Sequence, residues 1–167
     1  MTAGAVVPTP GVRPALEVDV PFVVALAEAA AASLHGSRGA ELLLLRESTP
    51  PDATTIVDWL HAGDAAVLIG VLDGVPVGAA AAHVEVLTGG TLLAVVTMLY
   101  VDEAARAVGV GEALLNALVD WARAAGCASI DAYALPGERI TKNFFEAAGF
   151  KARLLTVSHR LDEPTAP

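Results

Sequence analysis

A short stretch with two closely spaced glycines is the part of this chain best suited to bind a ligand. Arg106 is followed by Gly109 and Gly111 in the pattern Arg-x-x-Gly-x-Gly. Glycine lets the main chain approach a ligand closely, and arginine adds a charged hydrogen-bond donor. If the stretch opens a helix, the free N–H groups and the helix dipole favour an anion. The pattern then predicts a phosphate-binding loop.

The residues on either side indicate that the stretch joins a strand to a helix. Leu92 to Val101 is almost wholly apolar and rich in valine and leucine, which is typical of a buried strand. From Val110 onward, apolar residues recur at helical spacing, and Gly126 is expected to end that helix. The sequence therefore places the glycines at a helix N-terminus.

Two well-known phosphate motifs do not fit this stretch. No Lys-Ser/Thr pair follows the glycines, as a Walker loop requires. The third glycine of the dinucleotide fingerprint is missing, and the preceding strand lies far along the chain. What remains is the shorter Arg/Gln-x-x-Gly-x-Gly/Ala loop.

In that loop and its surroundings the chain resembles the GCN5-related N-acetyltransferase (GNAT) family. Met98 to Asp102, continued by Arg106 to Leu115, is similar to motif A of the family. The similarity extends over about residues 12–161, through an opening strand, the strand after motif A and a closing helix end: Val12 to Ala15, Gly126 to Leu135 and Asn143 to Phe150.

The resemblance implies acetyl-CoA as co-substrate, with no metal. Its pyrophosphate would lie on the glycine loop, and its pantetheine would pair like a strand with the main chain before the loop. The implied binding residues are Leu99, Tyr100, Val101, Arg106, Ala107, Val108, Gly109, Val110, Gly111 and Glu112. The implied reaction is direct attack of an amine on the thioester, with a small-molecule or peptide amine as acceptor.

The chain departs from the family pattern at the groups that would move protons. Thr97 stands where a strand glutamate is common, Phe145 where the usual tyrosine acid would stand, and Glu138 where an asparagine often opens the last helix. Candidates to replace the missing groups are Glu85 and Tyr133, with His83 as a further base. An ordinary surface or core role is the competing interpretation of each.

The free energies of the proton transfers allow the reaction to proceed without a strong base. At pH 7 a leaving thiolate costs only about 2 kcal/mol relative to the thiol. Deprotonating a lysine-like amine costs about 4.6 kcal/mol, but an α-amino group costs about 1.4 kcal/mol. A site lacking a base would therefore favour an amine of low pKa.

Two alternatives to an acetyltransferase stay open. One is a non-catalytic acyl-CoA-binding or sensor module of the same fold, which the replacements at Thr97 and Phe145 favour. The other is a transferase for a different acyl chain, since the loop would bind CoA and not the acyl group. The acceptor pocket is expected between Leu34 and Thr55, where no motif identifies the acceptor.

Composition narrows the class of protein. At 167 residues the chain is expected to form one domain over residues 12–161, with flexible tails at 1–11 and 162–167.

The net charge of −9 argues against nucleic acid and suits a cationic substrate. No apolar run is long enough to span a bilayer, and no basic leader is present, so a cytoplasmic protein is expected. The single Cys127 excludes an internal disulfide, and the four histidines lack metal-ligand spacing.

The predicted architecture is an α/β (α+β) fold with a mixed, mostly antiparallel sheet, helices on both faces and the order β-α-α-β-β-β-α-β-α-β. Asp73-Gly74 predicts a hairpin, and the helix that starts at Val110 predicts a crossover to a parallel strand. The remaining expected elements are a strand over Val12 to Val18, a helix capped by Asp19, an ambiguous Glu41 to Glu47, a helix after Asp52, a helix over Glu138 to Ala148 with Ile140, Phe144 and Ala148 inward, and a last strand over Phe150 to Leu161. An unpaired edge at that last strand could pair with a second subunit, which makes a homodimer an option.

Overall fold

The structure, a computed structural model, describes residues 8–161. Five strands and five helices follow one another in these residues: β1 (Pro10–Pro14), α1 (Val20–Ser33), α2 (Ala40–Leu42), α3 (Ala53–His61), β2 (Ala65–Leu72), β3 (Val75–Val86), β4 (Leu92–Val101), α4 (Val110–Ala124), β5 (Ser129–Ala132) and α5 (Arg139–Ala147). The ambiguous leucine-rich stretch is helical, because a π-helical turn over Leu43–Glu47 continues α2.

The five strands form one sheet in chain order, and the predicted mixed sheet with helices on both faces is confirmed. β1 to β4 are antiparallel, and β4 and β5 are parallel. The predicted hairpin is present, with Asp73 and Gly74 both at positive φ as a type I′ turn requires.

Two apolar cores flank the sheet. On one face, Val23 and Leu26 of α1 and Ile56 of α3 pack on Ile69 and Ala79 of the sheet. On the other face, α4 packs on the sheet through a buried stripe of Val110, Leu114 and Leu118. The period of 3.6 residues that predicted α4 therefore also sets which of its sides is buried.

Close packing fixes the start of α4 against the sheet. A Cβ added at Gly70 of β2 would lie 2.6 Å from Val110 Cγ1 and 2.9 Å from Leu114 Cδ1. Only a residue without a side chain allows this approach. Gly70 therefore holds the first turn of α4, and the glycine loop before it, at a defined height above the strands.

Two local predictions were wrong in detail. The first strand covers Pro10–Pro14 instead of Val12 to Val18, because a 3₁₀ turn over Glu17–Asp19 follows at once. Asp19 does not cap α1 with its side chain; its carboxylate accepts from the Arg13 guanidinium at 2.6 and 2.8 Å and from Leu16 N at 2.8 Å. By contrast, Asp52 caps α3 as predicted, accepting from Thr55 N at 2.8 Å.

The C-terminal part departs furthest from expectation. The last helix covers Arg139–Ala147, and its Ile140 is 88% exposed, so the predicted inward face holds only for the half-buried Phe144. Residues 150–161 form no strand, so the last strand predicted over Phe150 to Leu161 is wrong. They run past β5, where Arg153 pairs with Asp131, to α2, where Arg160 pairs with Glu41. The predicted tail residues 162–167 lie outside the described range.

Candidate active site

A wedge-shaped cleft opens where two parallel strands diverge. β4 and β5 pair from Leu93 opposite Ser129 to Val96 opposite Ala132. β5 then ends, whereas β4 continues to Val101. The cleft has a volume of about 800 Å³ and is lined by the second half of β4 and the chain that follows β5. One edge of β4 therefore faces the cleft with main-chain groups that β5 does not use.

The glycine loop closes one end of this cleft. Ala107 and Gly109 have φ values of 65° and 88°, so the loop turns through two left-handed residues before α4 begins. In the described chain no side chain caps the N-terminus of α4. Its first N–H groups are therefore free for a ligand, and the helix dipole makes that end positive. Such a terminus suits a diphosphate.

Arg106 lies at the mouth of the cleft and is held in place by three contacts. Its Nε donates to Val101 O at 3.1 Å, its guanidinium lies 5.1 Å from the Tyr100 ring centroid, and its Nη1 is 3.5 Å from Glu103 Oε1. Among the described residues that line the cleft, Arg106 is the one with a cationic side chain. Any anion drawn into the cleft would meet its charge at this point.

The cofactor residues predicted from sequence divide into two groups. Those that line the cleft are Leu99, Tyr100, Val101, Arg106, Ala107, Gly109, Gly111 and Glu112. Val110 is 1% exposed and packs in the core under α4, and Val108 points to solvent. These two valines could contribute only through their main-chain N–H groups.

Thr97 forms a bulge in β4 halfway along the cleft. Ala81 of β3 pairs with Met98 and Ala82 pairs with Val96, so Thr97 is the extra residue between them. Its Oγ1 donates to Ala81 O at 3.1 Å, and its own carbonyl oxygen accepts from Ser48 Oγ at 2.7 Å. The threonine side chain is thus committed to the sheet, and the bulge fixes the segment after α2 beside the cleft.

Phe145 lines the cleft and packs edge-on against Phe144, with 5.4 Å between ring centroids. The same ring lies 5.4 Å from that of Phe150. An apolar aromatic cluster therefore occupies the place where the resemblance implied a proton donor.

Of the catalytic candidates, Tyr133 lines the cleft and is 39% exposed. Burial, together with the negative charges of Glu85, Glu47 and Asp131, raises the pKa of the Tyr133 hydroxyl above its usual value. Tyr133 accordingly keeps its proton at neutral pH, so it can donate a proton but cannot serve as a base.

His83, Val95 and Asp131 are paired across β3, β4 and β5, so their side chains lie on one face of the sheet. Glu85 and Tyr133 are two residues further along from His83 and Asp131 and therefore lie on the same face. His83 Nε2 is 3.4 Å from Glu85 Oε1, and His83 Nδ1 is buried without a hydrogen-bond partner in residues 8–161. Neither side chain is among the described residues that line the cleft. The charge of Glu85 nevertheless acts on the Tyr133 hydroxyl.

Two contacts that shape the cleft had no signal in the sequence. One is the Ser48 hydrogen bond to the bulge. The other joins the loop after α1 to the start of α5, where Ser37 Oγ donates to Glu138 Oε1 at 2.6 Å. Both pair residues about fifty or a hundred positions apart, so no local pattern could have indicated them.

Within residues 8–161, no group of three or more His, Cys, Asp or Glu side chains could hold a metal ion. None of the helices described is both long enough and apolar enough to cross a membrane.

Comparison with known proteins identifies the family. A family model for the acetyltransferase (GNAT) family matches residues 36–150, which include β4, the glycine loop and α4. Because this match covers well over half of the chain, the protein belongs to the GNAT acetyltransferase family. No curated protein matches the chain.

Solved structures with a similar fold include a tetramutant protein from Bacillus halodurans (TM-score 0.75, 17% identity, 90% of this chain and 99% of that one). Aminoglycoside N-acetyltransferase AAC(6')-Iy in complex with CoA has a TM-score of 0.67 and 19% identity over 97% of this chain and 99% of that one. An aminoglycoside acetyltransferase from an uncultured soil metagenomic sample, in complex with sisomicin, has a TM-score of 0.64 and 16% identity over 92% and 97% of the two chains. At these identities the likeness is one of fold.

Proposed function

We propose that this protein transfers an acetyl group from acetyl-CoA to the primary amine of a small molecule or peptide. One observation carries the proposal: the uncapped N-terminus of α4, with Arg106 beside it, closes a cleft along the edge of β4 that β5 leaves unpaired. The family of the chain and the CoA complex of a protein with the same fold support it.

The main chain supplies the coenzyme site in this proposal. N–H groups from Ala107 to Glu112 and the guanidinium of Arg106 would bind the diphosphate, gaining the dipole and several charged hydrogen bonds. Leu99, Tyr100 and Val101 would bind the pantetheine amides through strand-like hydrogen bonds, since β5 leaves that edge of β4 free. The residues present fit CoA, and they need no metal to do so.

Transfer would proceed by direct attack of the amine nitrogen on the thioester carbonyl carbon. A C–N bond forms, the C–S bond breaks, and the amine gives up one proton while the thiolate gains one. Tyr133, protonated at neutral pH, would supply the thiolate proton. Glu85 would accept the amine proton through a bridging water, because its charge acts on Tyr133 although its side chain does not line the cleft.

Calorimetry and a thiol-release assay test the two parts of the proposal separately. Acetyl-CoA is titrated into the protein, and free thiol is then measured over a panel of primary amines. We expect micromolar or tighter binding and release that depends on both amine and protein. Arg106→Ala should weaken binding about tenfold, because it removes charged hydrogen bonds at a half-exposed site.

Arg123→Ala is the matched control, since Arg123 forms a similar exposed ion pair with Asp120 at the far end of α4. Equal effects of the two substitutions would remove the support for a coenzyme site at the loop. Tight binding without thiol release on any amine would instead favour an acyl-CoA sensor. This alternative is specific because the Thr97 hydroxyl is bonded to the sheet and Phe145 is part of an aromatic cluster, so neither position supplies a catalytic group.

A homodimer belongs to the same proposal. β5 is one of the two edge strands of the described sheet, and the neighbouring segment 151–161 exposes Leu154, Leu155 and Val157 without pairing to any strand in residues 8–161. A second subunit could bury this apolar segment. Light scattering during size-exclusion chromatography should give twice the chain mass of 17.0 kDa; a monomer would exclude this assembly.

A further inference from the structure

The cleft continues beyond the bulge as a pocket with a nearly apolar wall. This wall is built by α1 and the segment that follows α2, and its side chains are Ala27, Ala30, Ala31, Leu34, Leu43 and Leu44. All six are buried or half-buried, so they face the cleft and not bulk solvent. Pro50 and Pro51 extend the same surface.

The position of this wall follows from the geometry of β4. The glycine loop lies at the C-terminal end of β4, and Thr97 lies near its middle, so a coenzyme that follows β4 from the loop would end near the bulge. Ser48 binds the bulge directly, and the leucines just before it are therefore beside the coenzyme's reactive end. The acceptor must approach along this wall.

Few polar groups remain there for a ligand rich in hydroxyl groups. Ser48 Oγ is already bonded to Thr97 O, and Ser33 Oγ to Ala30 O. Glu138, which also lines the cleft, accepts from Ser37 Oγ, and Thr141 lies on α5. Glu103 and Glu112 belong to the loop end of the cleft. A polyhydroxylated acceptor would bury hydroxyl groups without hydrogen-bond partners against alanine and leucine, and such burial is unfavourable.

Several carboxylates surround the Tyr133 end of the pocket. The charges of Glu85, Glu47 and Asp131 act on the Tyr133 hydroxyl, although Glu47 also lies 3.5 Å from Arg46 Nε and Asp131 is paired with Arg153. Glu138, a carboxylate that lines the cleft itself, already accepts from Ser37 Oγ. Negative charge therefore lies at the end of an apolar surface, which complements a cationic amine on an apolar body.

Resting on the proposed transferase function, we infer that the acceptor is a monoamine carried on an alkyl or aryl body, and not a polycationic sugar. The apolar body packs on Leu34, Leu43, Leu44 and the alanines of α1. The amine lies towards Tyr133 and the neighbouring carboxylates, next to the end of the coenzyme.

A panel of acceptors tests this inference. With acetyl-CoA saturating, kcat/KM is measured by thiol release for 2-phenylethylamine, hexylamine and kanamycin. We expect the two apolar monoamines to exceed kanamycin at least tenfold. A higher kcat/KM for kanamycin would overturn the inference and leave the transferase function intact.

Adjacent leucines supply a matched pair of variants. Leu44 lines the pocket, whereas Leu45 is 73% exposed and outside it. Leu44→Asn should raise KM for 2-phenylethylamine about tenfold with an unchanged Kd for CoA, and Leu45→Asn should change neither. Equal effects of the two would overturn the inference. The unchanged Kd for CoA shows that the Leu44 variant is folded, and Leu43→Asn is the second variant if it is not.

Measuring the binding of the two amines tests the inference even if no amine is acetylated. In that case the transferase proposal fails, and 2-phenylethylamine and kanamycin are titrated into CoA-saturated protein by calorimetry. Tighter binding of 2-phenylethylamine, lost in Leu44→Asn, supports the pocket as assigned. Tighter binding of kanamycin contradicts it.

Discussion

The two halves of the cleft are built from different chemical groups. The half assigned to the coenzyme in our proposal, called the coenzyme half below, is one continuous stretch, residues 98–112, which would bind through main-chain groups and the Arg106 guanidinium. The acceptor half consists of side chains from α1, from the segment after α2 and from the end of β5. CoA binding should therefore be most sensitive to backbone conformation in the first half. Acceptor binding and rate should be most sensitive to the side chains of the second half.

The largest effect should come from twisting the main chain of the loop. Gly109 has a φ of 88°, which a β-branched residue rarely adopts, although its Cβ would meet only Pro10 Cγ at 3.5 Å. Gly109→Val should weaken CoA binding about 100-fold, because several N–H groups lose their direction together. Calorimetry measures the change.

Gly126→Val is the control for this prediction. Gly126 has a similar φ of 77° at the opposite end of α4, where a Cβ would meet nothing within 4 Å. Its substitution should cost similar folding stability and leave CoA binding unchanged. If both variants lost affinity equally, the loop would have no special role.

A change behind the coenzyme half should act through the position of α4. Gly70→Ala would place a Cβ 2.6 Å from Val110 Cγ1, so the first turn of α4 must move. We expect a loss of about 1–3 kcal/mol in unfolding free energy, measured with urea, together with weaker CoA binding. Gly63→Ala, where the space is open, should affect neither. A destabilised Gly70→Ala variant with unchanged affinity would show that the loop is not held by this contact.

In the acceptor half, removing one hydroxyl should change rate and not coenzyme binding. Tyr133→Phe should lower kcat about tenfold, or about 1.4 kcal/mol, with the Kd for CoA unchanged. Because the pKa of Tyr133 is raised, its proton is retained as pH increases, and the wild-type rate should not fall between about pH 7 and 9. A loss of rate over that range, absent in Tyr133→Phe, would mean that the pKa of Tyr133 is lowered instead.

The smallest effect should come from an ion pair outside both halves. The hydrogen bond from Arg13, and then that from Leu16 N, lowers the pKa of Asp19 although burial opposes the shift. The ionised Asp19 therefore stabilises the fold above its unfolded pKa of about 3.9, and this contribution is lost as pH falls through the lower folded pKa. Because solvent screens the partly exposed Arg13, we expect Asp19→Asn to cost only about 1 kcal/mol at pH 7.

Thermal unfolding at pH 7 and at about pH 3 checks this point. The difference between wild type and Asp19→Asn should shrink in acid, and both should bind CoA equally at pH 7. A difference that grew in acid would reverse the assigned pKa shift.

The coenzyme half could be predicted from sequence because its signals are local. An apolar strand, two glycines and a helical period follow one another within residues 92–126, and the structure has β4, the loop and α4 there. The acceptor half could not, because contacts such as Ser48 with Thr97 join distant segments and a bulge has no pattern of its own. The last strand, predicted over Phe150 to Leu161, is absent, and a strand also needs a neighbour with which to pair.

The amide signals of the glycine loop offer the most direct test of the central claim that main-chain N–H groups there bind a diphosphate. Nuclear magnetic resonance spectra of ¹⁵N-labelled protein are recorded with CoA and with pantetheine, which lacks the diphosphate. We predict that CoA shifts the amides of residues 107–112 most strongly and that pantetheine leaves them in place while shifting those of β4. Binding of CoA with the loop amides unmoved would contradict the account.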